Sequence, residues 1–235
     1  MAGSGVTVSE ELVITEEINN IDINLGVSTF EIRTGEEFRV VLNDVHEDTN
    51  TEVDNGTLRI REGRTRVRIF GGRNSTNQEI IIYVPEGTEF ENVSIETGVG
   101  RVNIDILIAE SVDLRLGVGE VRIEELISRR TTRIDGGVGR LRINSGEMRN
   151  LNLNSGVGET EITAALAGNS RLDTGVGRVG VNILGNMEDY TISTSTGVGR
   201  ININGERRSS GTHGSGENNL DIRGGVGAVD VTIGE

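Results

Sequence analysis

The chain contains no cysteine, no tryptophan and no lysine, has a single proline (Pro85), and draws only 3% of its 235 residues from the aromatic types. Without cysteine there is neither a disulfide framework nor a thiolate metal site, and the sequence carries no mark of its redox compartment. The shortage of aromatics removes the platforms on which bases and sugar rings stack, and from residue 91 onward Tyr190 stands alone. No apolar run is long enough to cross a bilayer as a helix, and no signal peptide is recognisable. All 23 basic residues are arginine, although the abundance of Asn and Ile suggests a composition that would ordinarily supply lysine too. Deliberate lysine-free engineering is therefore one hypothesis, and the opening Met1-Ala2-Gly3-Ser4-Gly5 reads as an expression scar.

Glycine, by contrast, is abundant at 34 residues, and its placement is periodic. The triplet Gly-Val-Gly begins at Gly98, Gly117, Gly137, Gly156, Gly175, Gly197 and Gly225. Most steps are 19 or 20 residues, and the last two are longer. Around each triplet the apolar residues alternate, as in Val93, Ile95, Val99, Val102 and Ile104, or Val112, Leu114, Val118, Val121 and Ile123. Period two means strands with one buried face. The pattern predicts an all-β parallel β-solenoid built of two-strand rungs of about 19–20 residues with Gly-Val-Gly corners, the valine in the core and the second glycine at the bend. Residues 91–235 form the regular repeats, continuous with a diverged region over 6–90 in a single domain.

Exposed positions carry charges that suit this stacking. Three residues beyond the first glycine stand Arg101, Glu120, Arg140, Glu159, Arg178, Arg200 and Ala228, alternating in sign through the first five. Two before it stand Glu96, Arg115, Asp135, Asn154, Asp173, Ser195 and Arg223. Equivalent positions become neighbours in a parallel stack, so the alternation favours one register. Because it neutralises each ladder, it does not build the one-sign field of an anion site.

The net charge of −14 is unevenly spread. Residues 1–57 hold thirteen acids against Arg33 and Arg39, whereas 58–73 hold six arginines against Glu62. The stretch 58–70 alternates apolar residues with arginine about a turn and predicts an Arg-faced β-hairpin that packs or pairs against the acidic N-terminal strands, a nucleic-acid or anionic-lipid site being the alternative. Residues 6–20 are the candidate cap hiding the first rung. No cap is evident after Val231 and Ile233, so the C-terminal rung is expected to be covered by a loop or by another copy of the chain. The acidic balance and missing aromatics argue against nucleic acid as a partner.

Chemistry-bearing motifs are few. Gly175-Val176-Gly177-Arg178-Val179-Gly180 matches a dinucleotide fingerprint literally, but no helix-forming segment follows it. Gly224-Gly225-Val226-Gly227 approaches a calcium-binding nonapeptide whose required aspartate is replaced by Val229. His46 and His213 sit singly in polar surroundings, and Glu124-Glu125 and Glu188-Asp189 fall near strand ends, where solvated faces are the ordinary reading. The residues nominate no catalytic group, cofactor or metal site. The loop 204–219 is the longest interruption of the repeat.

The strand-Pro-turn at Ile80–Gly87 and units such as "VDLRLGVGEVRI" and "LNLNSGVGETEI" resemble the bacterial putative-adhesin β-strand repeat family, the toast-rack domains, over roughly residues 18–235. The resemblance implies a non-enzymatic module of the cell surface or envelope, acting in adhesion or in envelope-stress interaction and often attached to a membrane segment not found in this chain. Its partner would be a protein or a cell-surface component, or the chain itself through the C-terminal rung. The alternatives are a carbohydrate-binding or carbohydrate-active solenoid, and an engineered lysine-free self-assembling scaffold.

Overall fold

The computed structural model describes residues 7–62 and 78–234. The strands are β1 (Thr7–Val13), β2 (Asn20–Gly35), β3 (Arg39–His46), β4 (Asn50–Asp54), β5 (Thr57–Arg61) and β6 (Glu79–Pro85), then the long, repeatedly bent β7 (Phe90–Asp135), which holds two repeats. They continue as β8 (Val138–Arg149), β9 (Leu151–Asn154), β10 (Val157–Ala167), β11 (Asn169–Asp173) and β12 (Val176–Leu184). A 3-10 turn at Met187–Asp189 leads to β13 (Tyr190–Ser195), β14 (Val198–Ile203), β15 (Glu206–Arg208), β16 (Gly211–Gly214), β17 (Asn218–Arg223) and β18 (Val226–Gly234).

The all-β, solenoid-like stack expected from the repeats is present, and its middle is parallel and in register. Val138 pairs with both Val118 and Val157, and Val157 with Val176. Inside it lies one continuous apolar core, in which Ile95, Leu114, Ile134, Leu153 and Leu172 are all at most 1% exposed. Stacking like on like lets each aliphatic side chain lie against its equivalents above and below, so burial is continuous although each rung is thin.

Two details of the rung differ from the sequence reading. The triplet valine is not in the core: Val99, Val118, Val138, Val157 and Val176 are each about half exposed, between 47% and 51%. The inside-outside parity changes at the first glycine and not after the valine. Leu116, just before the corner, leans on the core, while Val118 and Glu120 both face outward. Several rungs also bury a third pair, such as Leu107 and Ala109 between Ile104 and Val112, or Ala164 and Leu166 after Ile162, where the two-strand template had none.

The second glycine does bend as expected, with φ of 150° at Gly119 and 135° at Gly158. It is also pressed against the next rung. A Cβ on Gly119 would lie 1.8 Å from the carbonyl oxygen of Gly100, and one on Gly117 the same distance from that of Gly98. Only glycine lets corner backbones stack this closely.

Chain order and spatial order part company at both ends. The last repeat, β17 and β18, is not the end of the stack. β18 lies between β12 and β14, with Val226 pairing to Val176 on one side and Val198 on the other. β17 likewise lies between β11 and β13. The outermost rung is thus formed by β13 and β14, and the expectation of an uncapped, self-associating C-terminal rung is overturned because that rung is interior. The loop over 204–219 folds back as β15 and β16, antiparallel to β14 and β13, and closes the stack.

The N-terminal end mirrors this device. β2 lies between β7 and an outer level composed of β5 and β6, pairing Ile23 with Ile95 and Ile60, and Ile32 with Ile104 and Ile82. β4 and β3 run antiparallel on β5 and β6, and β1 on β3. Leu58–Arg61 therefore pairs with Asn50–Asp54 and β2; residues 63–70 of the expected Arg-rich hairpin lie outside the described residues. Arg61 pairs with Asp22, and Arg59 with Asp54 at 3.1 Å.

Candidate interaction surfaces

The corners build a straight edge. Register places Val27 beside Val99, then runs Val118, Val138, Val157, Val176, Val226 and Val198, each flanked by the corner backbone. Along it the valine N–H donates to the first-glycine carbonyl of the neighbouring rung, as Val157 does to Gly137 (2.8 Å) and Val176 to Gly156 (2.9 Å). The outer level at the N-terminal end, residues 57–85, contains no Gly-Val-Gly triplet in its sequence. There the Glu62 carboxylate is the acceptor, taking hydrogen bonds from the N–H of Gly26 (2.6 Å) and of Val27 (3.1 Å). The amide of buried Gln78 supports it: oriented with its nitrogen toward these two acceptors, which satisfies both of its polar atoms, it donates to Glu62 Oε1 at 2.8 Å and to the Val27 carbonyl at 2.9 Å. Nothing in the residue pattern singled out Glu62 or Gln78, since neither belongs to a repeat.

On either side of the valines the charged rows pair across rungs. Arg140 lies between Glu120 (3.9 Å) and Glu159 (3.2 Å), and Arg115 beside Glu96 (3.9 Å). Arg223 of the inserted repeat reaches Asp173 at 3.8 Å, and its neighbour Asp221 accepts from both Arg223 (3.1 Å) and Arg171 (3.2 Å). Exposed pairs of this kind hold register more than they add stability.

The residues weighed for chemistry do not converge. Glu124 accepts from Asn144 (2.6 Å) and Arg122 (2.5 Å), and these hydrogen bonds, Asn144 first, hold its carboxyl below the usual range, the reverse of what a general acid needs. Glu188 and Asp189 are exposed on the 3-10 turn, far along the chain in another element. His46 Nδ1 accepts from the Asp48 backbone N–H at 3.1 Å, whereas His213 lies on the cap strand β16 opposite Ile192. Burial raises the Tyr190 phenol, whose hydroxyl donates to the Leu166 carbonyl at 2.8 Å. Gly175–Gly180 forms a corner and parallel strand with no helix, and Val229 is a core residue. Among the described residues no group of three or more His, Cys, Asp or Glu is placed to hold a metal, and no helix is long and apolar enough to cross a membrane.

The family model described as Toastrack DUF4097 matches residues 18–232. The chain belongs to this family. Among solved structures, this Toastrack chain is similar to one titled a putative cell adhesion protein from Clostridium sporogenes, with 16% identity, 97% of this chain and 100% of that chain covered, and a TM-score of 0.42. Another, titled a putative adhesin from Bacteroides fragilis, shows 17% identity over 97% and 98% with a TM-score of 0.43. A third, titled a putative lipid binding protein from Parabacteroides distasonis, gives 17%, 97%, 98% and 0.34. No curated protein matches the chain.

Proposed function

We propose that this Toastrack chain is a non-enzymatic β-repeat module of the bacterial cell surface or envelope, acting by contact through its long faces in adhesion or envelope-stress interaction. The observation that carries this reading is the internal saturation of the stack. Its charges pair rung to rung through the middle of the stack, as at Glu120, Arg140 and Glu159 and again at Asp173 and Arg223, and are not gathered at one concave point. Such a surface presents the same chemistry at every level, which suits an extended contact better than a reaction centre. The native protein would be held at the envelope, by an anchor or by a partner.

Fractionating the producing bacterium and shaving intact cells with protease tests the location. Recovery with the envelope and cleavage on intact cells are expected; recovery wholly in the cytosol would overturn it. A polysaccharide hydrolysis screen tests the absence of catalysis. Turnover that disappears in Glu124→Gln or Glu188→Gln would replace this reading with a carbohydrate-active one.

A further inference from the structure

The exposed valine edge has no role inside the fold that requires an apolar side chain facing water. Val27, Val99, Val118, Val138, Val157, Val176 and Val226 are 47–51% exposed, and Val198 is 75% exposed. Eight of them in one row, about 4.8 Å apart, make a stripe roughly 34 Å long. Together they leave on the order of 600 Å² of apolar surface in water on each copy, so two copies reach the lower end of a standard protein interface. A contiguous apolar strip of this size lies at the upper end of what a monomer exposes, and patches of that size are often contact sites.

The charges beside the stripe say what fits it. In spatial order one flank reads Thr29, Arg101, Glu120, Arg140, Glu159, Arg178, Ala228, Arg200, and the other Asn24, Glu96, Arg115, Asp135, Asn154, Asp173, Arg223, Ser195. Apart from neutral Asn154 on one flank and Ala228 on the other, signs alternate along the inner rungs of each flank and reverse across the stripe, giving a checkerboard. A checkerboard is complementary to itself. With a second copy laid on it in reversed direction and full overlap, Arg140 faces Glu159, Glu120 faces Arg178, and Arg115 faces Asp173. With directions aligned about a two-fold along the stripe, each rung's one flank meets the other, as Arg140 with Asp135. A one-rung slip of the reversed arrangement brings like charges together wherever both facing positions are charged, as Glu120 with Glu159 and Glu96 with Asp173. The periods also match, since both stripes repeat at the rung spacing.

We infer that the Gly-Val-Gly edge is the face through which two copies of this chain pair, valine row on valine row, in an isologous dimer. This inference does not depend on where the protein resides. Sedimentation of the purified chain over micromolar to submillimolar concentrations should show a reversible dimer. The double variant Val138→Glu, Val157→Glu alters only exposed side chains at the centre of the stripe. It should weaken dimerisation at least about a hundredfold while leaving the circular dichroism spectrum unchanged.

Because the chain has no cysteine, crosslinking reads the arrangement directly. Val118→Cys and Val176→Cys lie three rungs apart in one copy, about 14 Å, too far for an internal disulfide. In the reversed dimer an oxidised mixture of the two single variants crosslinks and neither does alone; in the aligned dimer each crosslinks alone. Either pattern supports the edge as the interface. A strict monomer at all concentrations, a dimer indifferent to the glutamate variant, or no crosslink in any sample would overturn it. So would a monomer whose edge binds anionic phosphatidylglycerol vesicles and loses them in the glutamate variant, which would assign the stripe to lipid.

Discussion

Arg178 and Arg200 hold the same place in consecutive repeats, yet they are not neighbours, because Ala228 of the last repeat pairs with both. Had the repeats stacked in chain order, two guanidinium groups would have adjoined at the point where the alternation of signs breaks. Insertion of the last repeat separates them with a neutral residue and sets Arg223 beside Asp173. The order of rungs in space thus restores a charge pattern that the order in the chain violates.

Replacing Ala228 with glutamate should complete that pattern. A carboxylate between two arginines on adjacent parallel strands is expected to add about 0.2 to 1 kcal/mol per pair, read as a rise in Tm that fades with added salt. A stack in chain order would give the glutamate only Arg200 as a neighbour. A variant no more stable than the parent at low salt would contradict the inserted topology.

Gly119→Ala should be among the most damaging single changes in the chain. The new Cβ would meet the Gly100 carbonyl oxygen at 1.8 Å, and φ of 150° is foreign to alanine. The two effects together are expected to cost at least about 3 kcal/mol, visible in chemical denaturation or as failure to accumulate soluble protein. Gly87→Ala, at a turn with no atom within 4 Å of the added group, pays only the cost of its φ of 77° and should lose far less.

Glu62→Ala removes the carboxylate that terminates the valine edge and leaves the N–H groups of Gly26 and Val27 without their acceptor. A loss of about 1 to 3 kcal/mol is expected by the desolvation cost of unpaired backbone donors. Amide exchange should accelerate at residues 26 and 27 and remain unchanged at Val157, whose acceptor is a neighbouring rung. Equal protection in variant and parent would show the cap to be dispensable.

Glu124 provides a pH test. Asn144, and then Arg122, hold its folded-state pKa below the ordinary 4.5. Its contribution to stability is accordingly complete above that value and lost as pH falls through the lower folded pKa. The difference in Tm between the parent and Glu124→Gln should be constant near neutrality and shrink on acidification below about 4.5. A difference that grows with acid would reverse the assignment.

Thr132 and Ser170 occupy core positions of the repeat and bury hydroxyls with no hydrogen-bond partner. Thr132→Val keeps the shape and removes the unpaired group, so unfolding free energy should rise by about 1 kcal/mol. A loss of stability would mean that a buried water satisfies the hydroxyl.

Much of this was readable from local pattern. Val93, Ile95, Val102 and Ile104 alternate because a strand with one buried face demands it, and the recurrence of their template sets the parallel register. The valine was misplaced for a reason equally local. One extra residue at a corner shifts parity wherever it is inserted, and composition cannot tell whether the shift precedes or follows the valine. Glu62 and Gln78 carry no signal in the sequence because their role is to supply an acceptor to corner N–H groups, a backbone requirement that leaves no periodic trace.

By itself the sequence determined that this protein is a stack of glycine-cornered parallel strands with self-neutralising ladders, since period, parity and the glycine requirement are properties of each repeat and its immediate neighbours. Only the tertiary structure decided the order of the rungs at both ends, the closure by Glu206–Gly214, and the outward turn of eight valines. Equivalent repeats offer nearly the same surface to one another, so which of them adjoin is settled by small differences in charge and by the reach of the connecting segments, and these become visible only when the whole stack is assembled.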